Sequence, residues 1–210
     1  MGESIDMARG LILAAIVAAL AGMVDAIGYL HLGGPFVSFM SGNSTELAVA
    51  VGRGDPAKAR RIAELIAVFV LGAGAGQVLA GVTGRWHMTA VLIGVAVLLM
   101  LAAATVGAPE PMVLAMGALN GSMHRAGKLP VSLTYVTGML VRLGQGVGDF
   151  VTRRVAGSGW LAQASPWVGL VAGAIIGSVA YLRIGEAAIW LPVFVAGLLA
   201  VSSAAISQPD

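Results

Sequence analysis

The fold of this chain turns on residues 35–46, Pro35-Phe36-Val37-Ser38-Phe39-Met40-Ser41-Gly42-Asn43-Ser44-Thr45-Glu46. The run after the proline is extended in character. A hydroxyl residue then stands directly before a glycine, and residues that favour helix starts follow, with an acidic one just after. The pattern predicts unwound backbone feeding a helix. It has an echo in Pro130-Val131-Ser132-Leu133-Thr134-Tyr135-Val136-Thr137-Gly138, where Thr137-Gly138 takes the place of Ser41-Gly42.

The surroundings of both motifs are strongly apolar. Of the 210 residues 58% are hydrophobic and 10% charged, against roughly a quarter charged in an ordinary soluble domain. Mean hydropathy is +0.92. These values exclude a soluble globular domain and a disordered chain. Net charge is +2, from 12 Lys and Arg against 10 Asp and Glu. No basic patch is large enough to read as a nucleic-acid surface. With no cysteine in the chain, disulfides, thiolate metal sites and cysteine nucleophiles are excluded. His31, His87 and His124 form no ligand-spaced pair, so no metal or cofactor is expected. HExxH, GxSxG and Walker A patterns are absent as well.

Apolar runs between charge clusters give eight segments: 11–32, 35–52, 62–82, 88–106, 112–123, 131–150, 166–182 and 187–206. The first follows a polar N-terminus, as in a signal peptide, but is too long for a cleaved one and reads as a membrane segment. The third, fourth, seventh and eighth have the length and polarity of membrane helices. The second, fifth and sixth are short or polar. The expectation is an all-α integral membrane protein with 6–8 membrane segments, the second and sixth broken or partly unwound. Arg53, Lys58, Arg60 and Arg61 form the densest positive cluster, expected on the cytoplasmic side. If all eight segments cross, Arg153 and Arg154 share that side; if the second and sixth dip in and return, the two clusters are on opposite sides.

The two halves echo each other. Residues 39–43 match 135–139 at an offset of 96, which also sets Glu46 opposite Arg142 and Gly52 opposite Gly148. With gaps, Gly22-Met23-Val24-Asp25 meets Gly117-Ala118-Leu119-Asn120, and Gly72 and Gly76 meet Gly173 and Gly177. The chain reads as one membrane domain, 1–210, holding four-segment repeats at 8–107 and 108–206. An odd number of crossings per half makes such repeats inverted and an even number parallel; the shared arginine clusters lean toward parallel.

Repeats of this kind place solute sites at their interface near the bilayer midplane. Unwound backbone inside a bilayer is tolerated where it lines a cavity or is packed by protein. The candidate substrate-binding set is therefore Ser41, Gly42, Asn43, Asn120, Thr137 and Gly138; the competing reading is that these small residues only let helices pack closely. Asp25, Glu46 and Arg142 are the ionisable residues at membrane depth, where a lone charge costs about 3 kcal/mol or more. Glu46 and Arg142 are expected to pair, as a gate or as a structural clamp. Asp25 reads as a proton-coupling group or as a hydrogen-bonded structural carboxylate. Arg125 stands at a vestibule or marks a membrane boundary by snorkelling. Gly72, Gly74, Gly76 and Gly81, and Gly169, Gly173 and Gly177, read as helix-packing positions.

Gly22-Met23-Val24-Asp25-Ala26-Ile27-Gly28-Tyr29-Leu30, Gly33-Gly34-Pro35-Phe36-Val37 and Met40-Ser41-Gly42-Asn43 together resemble the YoaK-like family of bacterial membrane proteins. The second-half run Asn120…Arg125-Ala126-Gly127…Thr137-Gly138-Met139-Leu140 resembles that family's second signature. Ser41 departs from the family's usual Thr, and Ser38-Phe39 stands where a polar residue often precedes the Met. The resemblance implies about six spans and supplies no substrate.

The function these features point to is a small secondary transporter or channel for a small polar or anionic solute. It would be multi-pass in the bacterial inner membrane, with the lipid bilayer as its surroundings and self-association into a homo-oligomer left open. The alternative is a non-transporting membrane scaffold or accessory subunit. An enzyme is not expected, since no nucleophile–base set is visible.

Overall fold

The structure, a computed structural model, describes residues 2–105, 108–122, 136–152 and 164–206. Regular structure among them is helical throughout: α1 (Gly2–Leu32), α2 (Met40–Gly52), α3 (Pro56–Thr83), α4 (His87–Ala104), α5 (Glu110–Ser122), α6 (Val136–Val151), α7 (Ser165–Ile184) and α8 (Trp190–Ile206). Short 3-10 turns at Gly84–Trp86 and Gly185–Ile189 link α3 to α4 and α7 to α8. Each α-helix falls on one of the eight apolar segments. Among the described residues three helical stretches are long and apolar enough to cross a membrane, Gly10–Leu32, Pro56–Ala104 and Ser165–Ala205. Many of their apolar side chains face outward, Leu71 and Val78 on α3 and Ile175 and Ile176 on α7 among them. In water such a surface would aggregate; against acyl chains it is matched. The chain is an all-α membrane protein.

The core gathers Val17, Leu20 and Val24 of α1, Leu92, Val95 and Leu99 of α4, and Met116 and Leu119 of α5. Two helix pairs dominate the packing, α1 with α7 and α3 with α5, and glycine explains both. A Cβ on Gly169, Gly173 or Gly177 would run into the backbone carbonyls of Ala15, Ala19 and Met23. A Cβ on Gly72 or Gly76 would meet those of Leu114 and Ala118, and one on Gly117 or Gly121 those of Phe69 and Ala73. Small residues thus let backbones touch where lipid provides no hydrophobic drive for helices to associate. The residue numbers rise together along each seam, so both pairs are parallel. Gly74 and Gly81, grouped with the packing glycines by sequence, have open space where a Cβ would stand.

Other contacts fix the chain directions. Thr89, at the start of α4, hydrogen-bonds Ser203, at the end of α8, at 2.9 Å, so these helices are antiparallel. Near the other end of α4, Ala102 and Ala103 share a crevice with Ile27 and His31 of α1, Met112 of α5 and Tyr181 of α7. His31 lies 3.6 Å from Glu186, beyond the end of α7. Arg61, early in α3, bonds Glu110, the first residue of α5, at 2.7 Å. One end of the molecule therefore collects the finishing ends of α1, α4 and α7 and the starting ends of α3, α5 and α8.

Residues 53–61 sit at the end where α1 finishes, so α2 leaves that end and returns to it. Its 13 residues extend only ~20 Å, short of a ~30 Å hydrocarbon core. Arg153 and Arg154 lie outside the described residues.

Candidate functional site

α1 stops at Gly33 and Gly34, whose φ values of 67° and 145° suit glycine; both amides donate to the Tyr29 carbonyl, at 3.0 and 3.2 Å. The chain then doubles back along α1. Val37 packs against Gly28, where a Cβ would collide with its side chain, and Ser38 reaches Asp25. Asp25 lies seven residues before the end of α1, ~10 Å down its axis. At that depth α2 begins. It turns back past Gly34, whose Cβ position would lie 3.6 Å from the Glu46 carboxylate. The segment is a re-entrant dip, extended on the way in and helical on the way out.

Two side chains hold the dip. Asp25 Oδ1 accepts the amides of Val37 and Ser38, each at 2.9 Å, and Oδ2 accepts the Ser38 hydroxyl at 2.9 Å. Asn43 works from the first turn of α2: its Oδ1 accepts the Phe36 amide at 2.8 Å and its Nδ2 donates to the Phe36 carbonyl at 2.7 Å. Asn43 is fully buried. Backbone groups that a helix would have satisfied are thereby paired, which non-helical backbone at membrane depth requires. The first residue before α2 is Phe39, without a side-chain cap. Ser44 and Thr45, which by sequence suit helix caps, instead bond back to the carbonyls of Met40 and Ser41.

Between the dip, α1 and α7 lies a cavity of roughly 480 Å³. Asp25, Ser38 and Ser178 are its polar positions, and Tyr29, Phe36 and Phe39 its aromatic ones. The rings form a cluster: Tyr29 and Phe36 have centroids 4.9 Å apart and are tilted by 32°, while Phe36 and Phe39 are 5.3 Å apart and nearly perpendicular. No lysine, arginine or histidine lines the cavity among the described residues.

The site expected from sequence is only partly assembled here. Asp25 is in the cavity wall. Asn43 is beside it but buried, with its side chain bonded to the dip rather than presented to a solute. Ser41 and Gly42 line an adjoining outer groove with Thr45, Glu46, Arg53 and Lys58, which shares Tyr29, Phe36 and Phe39 with the cavity. Asn120, on α5, is buried; its Nδ2 donates to the Met116 carbonyl at 2.9 Å, and its Oδ1 has no hydrogen-bond partner among the described residues. Thr137, Gly138 and Arg142 are on α6, whose main contact is with α7, and none of them lines the cavity. The unwound stretch expected at 131–135 and the vestibule residue Arg125 lie outside the described residues. The expected Glu46–Arg142 pair is replaced by Glu46–Lys58 at 2.8 Å. The turn after α2 brings Lys58, in the first turn of α3, straight back over Glu46.

Sequence reasoning passed over Tyr29, Phe36, Ser38, Phe39 and Ser178. Part of that set left a signal. Asp25 and Tyr29 are four apart on one helix and so share a face; Ser178 comes from a distant helix and left none.

Residues 13–202 match a family whose description reads "Protein of unknown function (DUF1275)". The chain is 42% identical over 198 residues to the UPF0700 transmembrane protein RA0705 of Rhizobium meliloti (strain 1021), covering 92% of this chain and 86% of that one. Both agree with the YoaK-like resemblance. No solved structure matches.

Proposed function

The chain belongs to the DUF1275 family, and on that premise we propose that this multi-pass membrane protein is a small secondary transporter or channel for a small solute, in the bacterial inner membrane. The observation that carries the reading is the cavity at Asp25. A re-entrant segment, a carboxylate bonded to unwound backbone and a partly open cavity meet at one point in an apolar protein. Discontinuous helices of this kind build solute sites in secondary transporters. A segment serving only as packing would not need to leave such a space.

The proposal includes the internal repeat, now inverted. Leu114 and Ala118 stand 95 residues after Ala19 and Met23, while Gly173 and Gly177 stand 101 after Gly72 and Gly76. The two glycine seams therefore pair equivalent positions: the first helix of each half lies on the third helix of the other. The α4–α8 contact joins the fourth helix of each half, antiparallel, as a twofold axis in the membrane plane requires. Three crossings and one dip per half give six spans in all. No catalytic step is part of the proposal.

Reconstitution tests it. Proteoliposomes should move at least one of choline, sulfate and erythritol faster than protein-free vesicles. If none moves, and single cysteines at the cavity-lining Ala174 and Ser178 prove unreactive to small water-soluble thiol reagents, the transport reading fails and a scaffold or accessory subunit replaces it. The dip has its own check. The natural chain has no cysteine, so cysteines introduced at Gly33 and Ala59 can be labelled cleanly and should react from the same side of the membrane. Labelling from opposite sides would mean that α2 crosses.

A further inference from the structure

We propose that the cavity at Asp25 binds an organic cation with an aromatic or aliphatic body, a substrate class opposite in charge to the polar or anionic solute expected from sequence. The inference rests on the transporter reading above and names its ligand. Charge comes first. The cavity wall carries one ionisable acid, Asp25, and no basic side chain among the described residues. An anion entering would face a carboxylate with no basic group in the cavity wall to offset it, Arg53 and Lys58 lying in the adjoining groove, in surroundings where charges are poorly screened. The amides of the extended stretch beside the cavity are already taken: Val37 and Ser38 donate to Asp25.

The aromatic cluster supplies the second argument. Tyr29, Phe36 and Phe39 all line the cavity that Asp25 faces. The perpendicular Phe36–Phe39 pair presents rings in more than one orientation to a guest. Ring faces attract a quaternary or alkylated ammonium group more than they attract a neutral group of the same shape. Size is the third. Roughly 480 Å³ is within the range of small-molecule pockets and far exceeds what a metal ion or a proton needs. Leu30, Leu170 and Ala174 complete an apolar wall suited to a hydrocarbon body rather than a sugar.

The geometry also provides a variant that separates charge from structure. Asp25→Asn keeps an oxygen to accept the Val37 and Ser38 amides and offers an amide to the Ser38 hydroxyl, so the dip can stay in place while the charge is gone. Calorimetric titration of the purified, detergent-solubilised full chain would compare benzyltrimethylammonium with its neutral isostere neopentylbenzene and with the anion phenylacetate. The cation should bind at least tenfold more tightly than either. Asp25→Asn should reduce that preference over the isostere to about twofold or less. Phe39→Leu should weaken the cation about threefold and the isostere less. If the wild-type chain binds the isostere or phenylacetate as well as the cation, or if folded Asp25→Asn retains the full preference, the inference is overturned. The wild-type comparison stands even if a variant does not fold. The two readings fail differently: cation binding without flux in proteoliposomes removes the transporter, whereas flux of sulfate or erythritol with no preference for the cation removes only this ligand class.

Discussion

α1 meets its neighbours in two ways. Toward α7 it offers backbone: Ala15, Ala19 and Met23 lie against Gly169, Gly173 and Gly177, and Gly22 returns the contact on Leu170. Toward the dip it offers one polar side chain, Asp25, which holds Val37 and Ser38 by hydrogen bonds. The seam is close because its side chains are absent; the latch works because a side chain is present. Contacts of the first kind leave no room between helices, and their strength is summed dispersion. The second kind binds backbone at a single point and leaves the roughly 480 Å³ cavity beside it. Rigid seams and a point-fastened re-entrant segment are the parts expected of a protein whose pairs stay fixed while a site between them opens.

The contrast breaks first at the seams. Gly173→Val or Gly76→Val forces a side chain into a backbone carbonyl and should cost about 3 kcal/mol or more, read as loss of the folded species in thermal unfolding in detergent. Gly74→Val, on the same helix as Gly76 but facing open space, should change stability by less than about 0.5 kcal/mol. A similar loss at Gly74 and Gly76 would mean that the seam is not what holds α3 to α5.

The latch should respond less, and by chemistry more than by volume. Asn43→Ala strands the Phe36 amide and carbonyl, for about 2–3 kcal/mol. Asn43→Leu should likewise destabilise the chain, because the Asn43 amide group bonds both the amide and the carbonyl of Phe36. Asp25→Ala should cost about 2 kcal/mol by orphaning two amides, while Asp25→Asn, which keeps an acceptor, should cost less than about 1 kcal/mol. Equal losses for the two Asp25 variants in the same unfolding assay would show that the charge, not the hydrogen bonds, fastens the dip.

Smallest of all is the outer face of the dip. Glu46 and Lys58 are both partly exposed, and Glu46→Gln should shift stability by less than about 1 kcal/mol. A double-mutant cycle with Arg142→Gln should show coupling near zero. Coupling above about 0.5 kcal/mol would restore a link between α2 and α6.

Sequence alone carried a good deal of this. Composition and run lengths determined that the chain is helical and lives in a bilayer, since both follow from the transfer cost of side chains and backbone. Each of the eight segments holds one of the described helices, and the break before Met40 was legible in Pro35 and the extended run after it. The glycine spacings marked both seams, because close backbone approach needs positions without a Cβ. Gly74 was misread with them, for spacing reports the small residues on a helix and not which of its faces is covered.

Tertiary structure decided the rest. Hydropathy measures the cost of immersion and has no direction, so it left open whether α2 crosses or returns. In the structure the far end of α2 lies beside the end of α1, with Gly34, Glu46, Arg53 and Lys58 around one groove. Charge at membrane depth demanded a partner for Glu46 without naming it; the turn into α3 brought Lys58 nearer than any repeat-related position. The cavity needed Ser178 and Leu170 from a helix some 140 residues further along the chain than the dip. No local pattern encodes a neighbour that only the parallel packing of α1 on α7 creates.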